Sequence, residues 1–176
     1  GVSTAIVTTY EVNDTPRGLF WTPESPDWPG RPAQIHTQGQ PETNSYWFPC
    51  HDAPQDRTTT ELIVRVPKGY TAVSNGRLVK KGVSGGKALF HWKQDIPHAT
   101  YLVTLAVGEF SELTDRWRGK PVTYYVPRGL EEDARRAFGK TPKMLEFFSS
   151  KIGVPYAYPK YAQVAAIDFI YGGMEN

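Results

Sequence analysis

The chain has 176 residues, of which 39% are hydrophobic and 22% charged, enough apolar mass for one globular domain or for one domain and the start of another. Its net charge of +2 comes from acidic and basic residues interspersed along the chain, so it offers no basic stripe for a phosphate backbone, and nucleic acid is not an expected partner. No apolar run reaches the roughly 18 to 20 residues of a membrane-spanning helix, and the single Cys50 excludes an intramolecular disulfide.

The opening GVSTAIVTTYEV has neither a charged leader region nor a cleavage site, and it lacks an initiating Met, so the compartment is not assigned. TAIVTTYEV reads as a strand that ends at the turn NDTPRG. The following GLFWTPESPDWPGRPAQ is too rich in proline for a central strand and reads as a long ordered loop. TTTELIVRVP returns to strand, with Leu62, Val64 and Val66 on one face. AVSNGRLVKK reads as a hairpin turned at Asn75-Gly76. Gly85-Gly86 leads into the strand KALFHWKQD, and ATYLVTLAVGEFSEL is a long β-branched run. Short strands at this spacing predict an antiparallel sandwich or curved sheet.

After one more strand, PVTYYVP, the period becomes helical. Glu131, Glu132 and Asp133 suit a helix N-terminus, Thr141-Pro142 reads as an N-cap followed by a first-turn proline, and two short helices break near Gly139. Met144, Leu145, Phe148 and Ile152 form the expected core-facing stripe of the second helix. YAQVAAIDFIYGG reads as a final strand, and a boundary falls near Gly119, with β structure before it and the opening of an α/β unit after it. A domain seldom stops directly after an apolar strand, so the chain reads as cut short.

Self-contained catalytic machinery is absent from the sequence. It has no His-Glu-x-x-His, Cys-x-x-Cys, Gly-x-Ser-x-Gly or Walker loop. His36, His51, His91 and His98 never take the i, i+4 spacing that puts two imidazoles on one metal, and they read as solvated or structural. Cys50 reads as a small buried hydrophobe, and TQGQPETNSYWFPCHDAP as an irregular loop anchored by Trp47 and Phe48, with Asp52 and Asp56 satisfying local turn amides. Taken alone, GGMEN is a bulge and a polar turn.

Together, however, TQGQPE, YWFPCHDAPQDR, AVSNGRL, YLVTLAVGEF, TPKMLEFF with GVPYAYPKY, and DFIYGGMEN resemble, in this order and at about these spacings, the zinc aminopeptidases of the aminopeptidase N (gluzincin) family, from about Arg31 onward. The resemblance implies a mainly β fold. Residues 1–119 would form an antiparallel, saddle-like β-sandwich domain whose first strands need not all be present, and residues 120–176 the first strands and helices of a thermolysin-like α/β catalytic domain, truncated before the zinc site.

It also implies a site. In the family the Gly-Gly-Met-Glu-Asn strand lies at the floor of the active site, here Gly172, Gly173, Met174, Glu175 and Asn176. An exopeptidase must locate a free α-ammonium, and Glu175 would be the anionic wall that reads it. Gly172 and Gly173, lacking Cβ atoms, would let the substrate backbone lie alongside. Gln40, with Gln38 beside it, matches the polar residues that reach the same ammonium from the β domain; without a formal charge they would leave Glu175 the larger share. The implied substrates are peptides with a free N-terminus. Zinc is implied for the parent, with its ligands and general base beyond residue 176, so the segment itself would hold no catalytic or metal-binding residue and hydrolyse nothing. The competing reading is a peptide- or protein-binding scaffold that kept the saddle and lost the zinc motif.

Overall fold

The computed structural model describes residues 4–176. It is mainly β, with ten strands and two α-helices among the described residues. The strands are β1 (Gly18–Thr22), β2 (Gln34–Gln38), β3 (Arg57–Val66), β4 (Thr71–Ser74), β5 (Arg77–Ser84), β6 (Lys87–Ala99), β7 (Leu105–Gly108), β8 (Phe110–Trp117), β9 (Lys120–Pro127) and β10 (Tyr161–Val164). The helices are α1 (Glu131–Phe138) and α2 (Thr141–Ile152).

Two antiparallel sheets make the sandwich, one ordered β1-β2-β7-β4 and the other β3-β6-β5. Alternation along β3 and β6 sends Val66, Phe90 and Trp92 inward, where they meet Ala72, Val73, Ala106 and Val107 of the facing sheet. Trp92 is 3% exposed, and its indole N–H donates to the Ala72 carbonyl at 2.9 Å, so the largest core residue leaves no orphaned donor.

The third sheet, β10-β9-β8, differs in kind. β8 and β9 form an antiparallel hairpin through Arg118-Gly119, and β10 adds to β9 in parallel after a crossover through both helices. The sheet therefore has strands on both sides of Gly119. Its own core joins Leu113, Trp117, Val122, Tyr124 and Val126 to Ala134 of α1 and Leu145 of α2.

Several sequence expectations need correction. Residues 4–12 form no strand, and Ile6 and Val7 are fully open; β-propensity yields a strand only where a neighbour offers a ladder. The proline-rich stretch is not all loop, because β1 occupies its first five residues and pairs with β2 across it. Asn75-Gly76 does not close a hairpin. β4 pairs with β7 and β5 with β6, so the chain changes sheet at this point. Gly76 has φ +76°, and a Cβ there would fall 2.0 Å from the Lys93 carbonyl oxygen. The Asn75 side chain turns inward instead, donating to Leu102 O at 2.9 Å and accepting from Thr104 N at 2.8 Å. The long run 99–113 is interrupted by a 3-10 turn over Thr100–Leu102.

The two helices break at Gly139 as expected, with the three acidic residues in the first turn of α1. Thr141 is not an N-cap. The Lys140 carbonyl accepts the first helical bond of α2, and the buried Thr141 hydroxyl donates to Gln163 Oε1 at 2.8 Å. The apolar stripe is also rotated. Thr141, Leu145 and Ser149 face inward, whereas Met144, Phe148 and Ile152 are 50%, 57% and 70% exposed. Leu145 seats in the second core and Thr141 bonds Gln163 on the buried face, while Glu146 on the half-exposed side accepts from the Trp117 indole at 2.9 Å and from two nitrogens of Arg118 at 2.9 and 2.6 Å.

Candidate functional site

Between the β2-β7-β4 end of the sandwich and the segment after β10 lies a cleft of about 740 Å³. Its walls include His36, Asn75, His98, Lys160 and all of Gly172, Gly173, Met174, Glu175 and Asn176. The expected strand over residues 161–173 ends at Val164. Ala165 adds one more bond, its N–H donating to Tyr125 O, and the chain then leaves the sheet. Gln34 Oε1 captures the Ile167 amide at 2.9 Å, and Arg31 pairs with Asp168, whose φ of +59° turns the backbone. Residues 172–176 are therefore an irregular segment along the cleft and not a strand.

Aromatic packing holds this segment down. His36 stacks on Phe20 at 5.2 Å and meets Phe169 edge-on at 5.5 Å, while Tyr171 packs between Phe20 and Phe169. Burial pushes the His36 imidazole below its ordinary pKa, a shift that the Asp168 carboxylate partly opposes. A neutral ring suits this apolar stack.

Gly172 has φ +76°, a conformation that favours glycine, and a Cβ on either Gly172 or Gly173 would enter open space. Nothing in the described chain therefore crowds an extended ligand at this point. Glu175 and Asn176 dock on the 3-10 turn: Tyr101 donates its hydroxyl to Glu175 Oε1 at 3.3 Å, and Asn176 Nδ2 donates to Leu102 O at 3.3 Å. Glu175 is otherwise exposed.

Gln38 and Gln40 do not line the cleft. Gln38 is buried, and its Oε1 accepts the Gln40 amide at 2.9 Å, so its side chain is spent on shaping the turn. Gln40 is exposed. The turn nonetheless abuts the Glu175 dock, because a Cβ on Gly39 would fall 2.4 Å from the Tyr101 carbonyl oxygen.

The other candidates separate by environment. His51 is exposed and pairs with Asp56 at 2.5 Å, so Asp56 serves a ring nitrogen and not a turn amide, while Asp52 accepts the Ser45 amide at 2.8 Å. His91 pairs with Glu61, and His98 is buried and lowered in pKa by that burial. Burial, and then Asp52, push the Cys50 thiol up to about 11, which keeps it protonated and unreactive near neutral pH. Among the described residues no group of three or more His, Cys, Asp or Glu side chains is placed to hold a metal ion.

The pattern of residues missed three groups. Tyr101 sits within what reads as a continuous strand. Lys160 lies in an ordinary loop sequence, yet its ammonium is over the Trp92 ring at 4.9 Å, and burial lowers its pKa to about 8. Asn44, with no exposed surface, donates to Thr100 O and Val103 O and accepts from the Trp47 indole. For Tyr101 the available signal was its place in a stretch shared with the aminopeptidase motifs.

The model of the peptidase M1 N-terminal domain matches residues 3–102, and that of the peptidase family M1 domain matches residues 136–176. The chain belongs to the peptidase M1 family. Among curated relatives, the leucyl aminopeptidase of Saccharolobus solfataricus is 29% identical over 142 residues, covering 81% of this chain and 18% of the relative. The glutamyl aminopeptidase of Rattus norvegicus is 33% identical over 146 residues, covering 80% and 15%. Aminopeptidase M1 of Arabidopsis thaliana is 31% identical over 141 residues, covering 80% and 16%. This M1 chain thus spans less than a fifth of the length of these relatives. The expected resemblance to aminopeptidases and the mainly β fold both hold. Among the described residues no helix is long and apolar enough to cross a membrane.

Proposed function

We propose that this chain is the N-terminal portion of a zinc-dependent aminopeptidase that removes N-terminal residues from peptides, with Glu175 anchoring the substrate α-ammonium. The observation that carries the reading is Glu175 itself: an exposed carboxylate on the cleft wall, beside two glycines whose Cβ positions open into free space, in a chain of the M1 family. A carboxylate so placed binds an ammonium by a charge-assisted hydrogen bond, and the open Gly172-Gly173 backbone leaves room for the first residues of a peptide.

Gln38 shapes the neighbouring turn, which carries Gln40 as a neutral acceptor beside the cleft and not on its wall, and Met174 and Asn176 complete the wall. Zinc belongs to the parent protein, with ligands beyond residue 176. The side chains described here do not fit a zinc ion, and their share of the work is to bind and orient the amine. The division near Gly119, into a saddle domain over 1–119 and the opening of a catalytic domain over 120–176, is part of the same proposal. The family matches over 3–102 and 136–176 and the parallel crossover that begins at β9 support it, while the β8–β9 hairpin carries one sheet and core across Gly119 itself.

The test is hydrolysis of aminoacyl arylamides by the full-length parent and by its Glu175→Ala variant. The expected loss in kcat/KM is about 100-fold. Unchanged kinetics in the variant would remove the amine-anchor assignment. A parent that binds peptides and releases no N-terminal residue would favour the scaffold reading.

A further inference from the structure

Glu175 is a long, exposed side chain with several rotamers, and an anchor that measures distance must be held in one of them. The 3-10 turn over Thr100–Leu102 provides the hold. Tyr101 and Leu102, consecutive in sequence, receive the consecutive residues Glu175 and Asn176, one through a phenol hydroxyl and the other through a backbone carbonyl. The Leu102 carbonyl also accepts from Asn75 Nδ2, so one oxygen ties the tip of β4 and the terminal segment to the same turn.

The turn is rigid for reasons visible in its other contacts. Asn44 donates to the carbonyls of Thr100 and Val103 at 2.6 and 3.0 Å, and Asn75 Oδ1 accepts the Thr104 amide. These are buried or part-buried bonds that satisfy main-chain groups lost from β6 and β7. On its other side the Tyr101 carbonyl abuts Gly39, between Gln38 and Gln40, so closely that any Cβ there would clash. Tyr101 is thus the residue at which the turn carrying Gln40 and the carboxylate of Glu175 meet.

We propose that Tyr101 is a positioning residue for substrate amine recognition: its hydroxyl fixes the Glu175 carboxylate at a set distance from the Gln38–Gln40 turn. The proposal rests on the aminopeptidase reading above. The hydroxyl occupies one lone-pair direction of Oε1 and leaves the remaining acceptor positions of the carboxylate for an ammonium. Tyr101→Phe removes that bond and keeps the ring, so the fold is retained and the carboxylate is released.

The test is a double-mutant cycle in the full-length enzyme, with Tyr101→Phe, Glu175→Ala and the pair assayed on an aminoacyl arylamide and checked by thermal unfolding. Tyr101→Phe is expected to lower kcat/KM about ten-fold, with a melting temperature close to the parent's. In the Glu175→Ala background the same change is expected to cost less than about two-fold, because the group it positions is gone. A Tyr101→Phe enzyme equal to the parent, or a ten-fold loss that persists without Glu175, overturns the proposal, since a merely structural role would multiply through both backgrounds. An unmutated parent without aminopeptidase activity is a separate result, and it overturns the reading on which this one stands.

Discussion

The Lys160 ammonium donates a 2.8 Å hydrogen bond to the carbonyl oxygen of Ser74, joining the approach to β10 to the end of β4 across 86 residues. Its charge lies over the Trp92 ring and out of bulk water, and burial lowers its pKa from 10.5 to about 8.

That shift fixes a pH dependence. Between pH 8 and 10.5 the unfolded chain binds the Lys160 proton and the folded chain does not, so stability rises with pH in that window. The cost of burying the charge is fully present below pH 8. The slope is on the order of 1 kcal/mol per pH unit. Above pH 10.5 the Lys160 contribution is flat and the slope turns negative, since Tyr124, pushed up to about 12 by burial and then Asp115, keeps its proton in the folded state and loses it in the unfolded one. Unfolding of the parent chain and Lys160→Met, compared from pH 7.5 to 10, is expected to show the parent gaining on the variant as pH rises. Parallel curves would refute the assignment.

Asn44 satisfies two carbonyls and an indole N–H from a fully buried position. Asn44→Ala would orphan all three partners, at an expected cost of about 3 kcal/mol in denaturant unfolding. Asn44→Asp keeps the acceptor for Trp47 and loses the donors, so it is expected to destabilise as well, because a buried carboxylate would then face two carbonyl oxygens. A loss below about 1 kcal/mol for Asn44→Ala would show that the turn does not depend on this side chain.

The rotation of α2 makes a sharp comparison. Leu145 packs against the second core and Phe148 does not, so Leu145→Ala is expected to cost about 2 kcal/mol and Phe148→Ser less than about 1 kcal/mol. The reverse order would restore the stripe read from periodicity. In the same experiment, Glu146→Gln weakens the half-exposed tie to Trp117 and Arg118 and is expected to cost less than about 1 kcal/mol, with the Leu145 and Phe148 order unchanged.

The residues by themselves determined much of this molecule. Alternation in β3 and β6, the Gly85-Gly86 turn, the helical period after Gly129 and the break near Gly139 are local properties, set by backbone sterics and the spacing of apolar side chains. The run of separated motifs carried the family. The pairing of strands was decided elsewhere. Whether β4 turns back on β5 or crosses to another sheet depends on which edge lies beside it, and the Asn75-Gly76 turn is compatible with both.

Distant partners likewise decided which face of α2 is buried and where β10 stops. Leu145 in the second core and the Thr141–Gln163 bond mark the buried face of the helix, while Gln34 and Arg31 draw residues 167–168 off the sheet. The candidate site divides in the same way. Glu175 and the two glycines stand in a recognisable string, whereas Tyr101, 74 residues away, enters only because buried Asn44 and Asn75 fold its turn against that string. Hydrogen bonds between residues so far apart leave no period or spacing in a sequence, and only the tertiary structure brings them within reach.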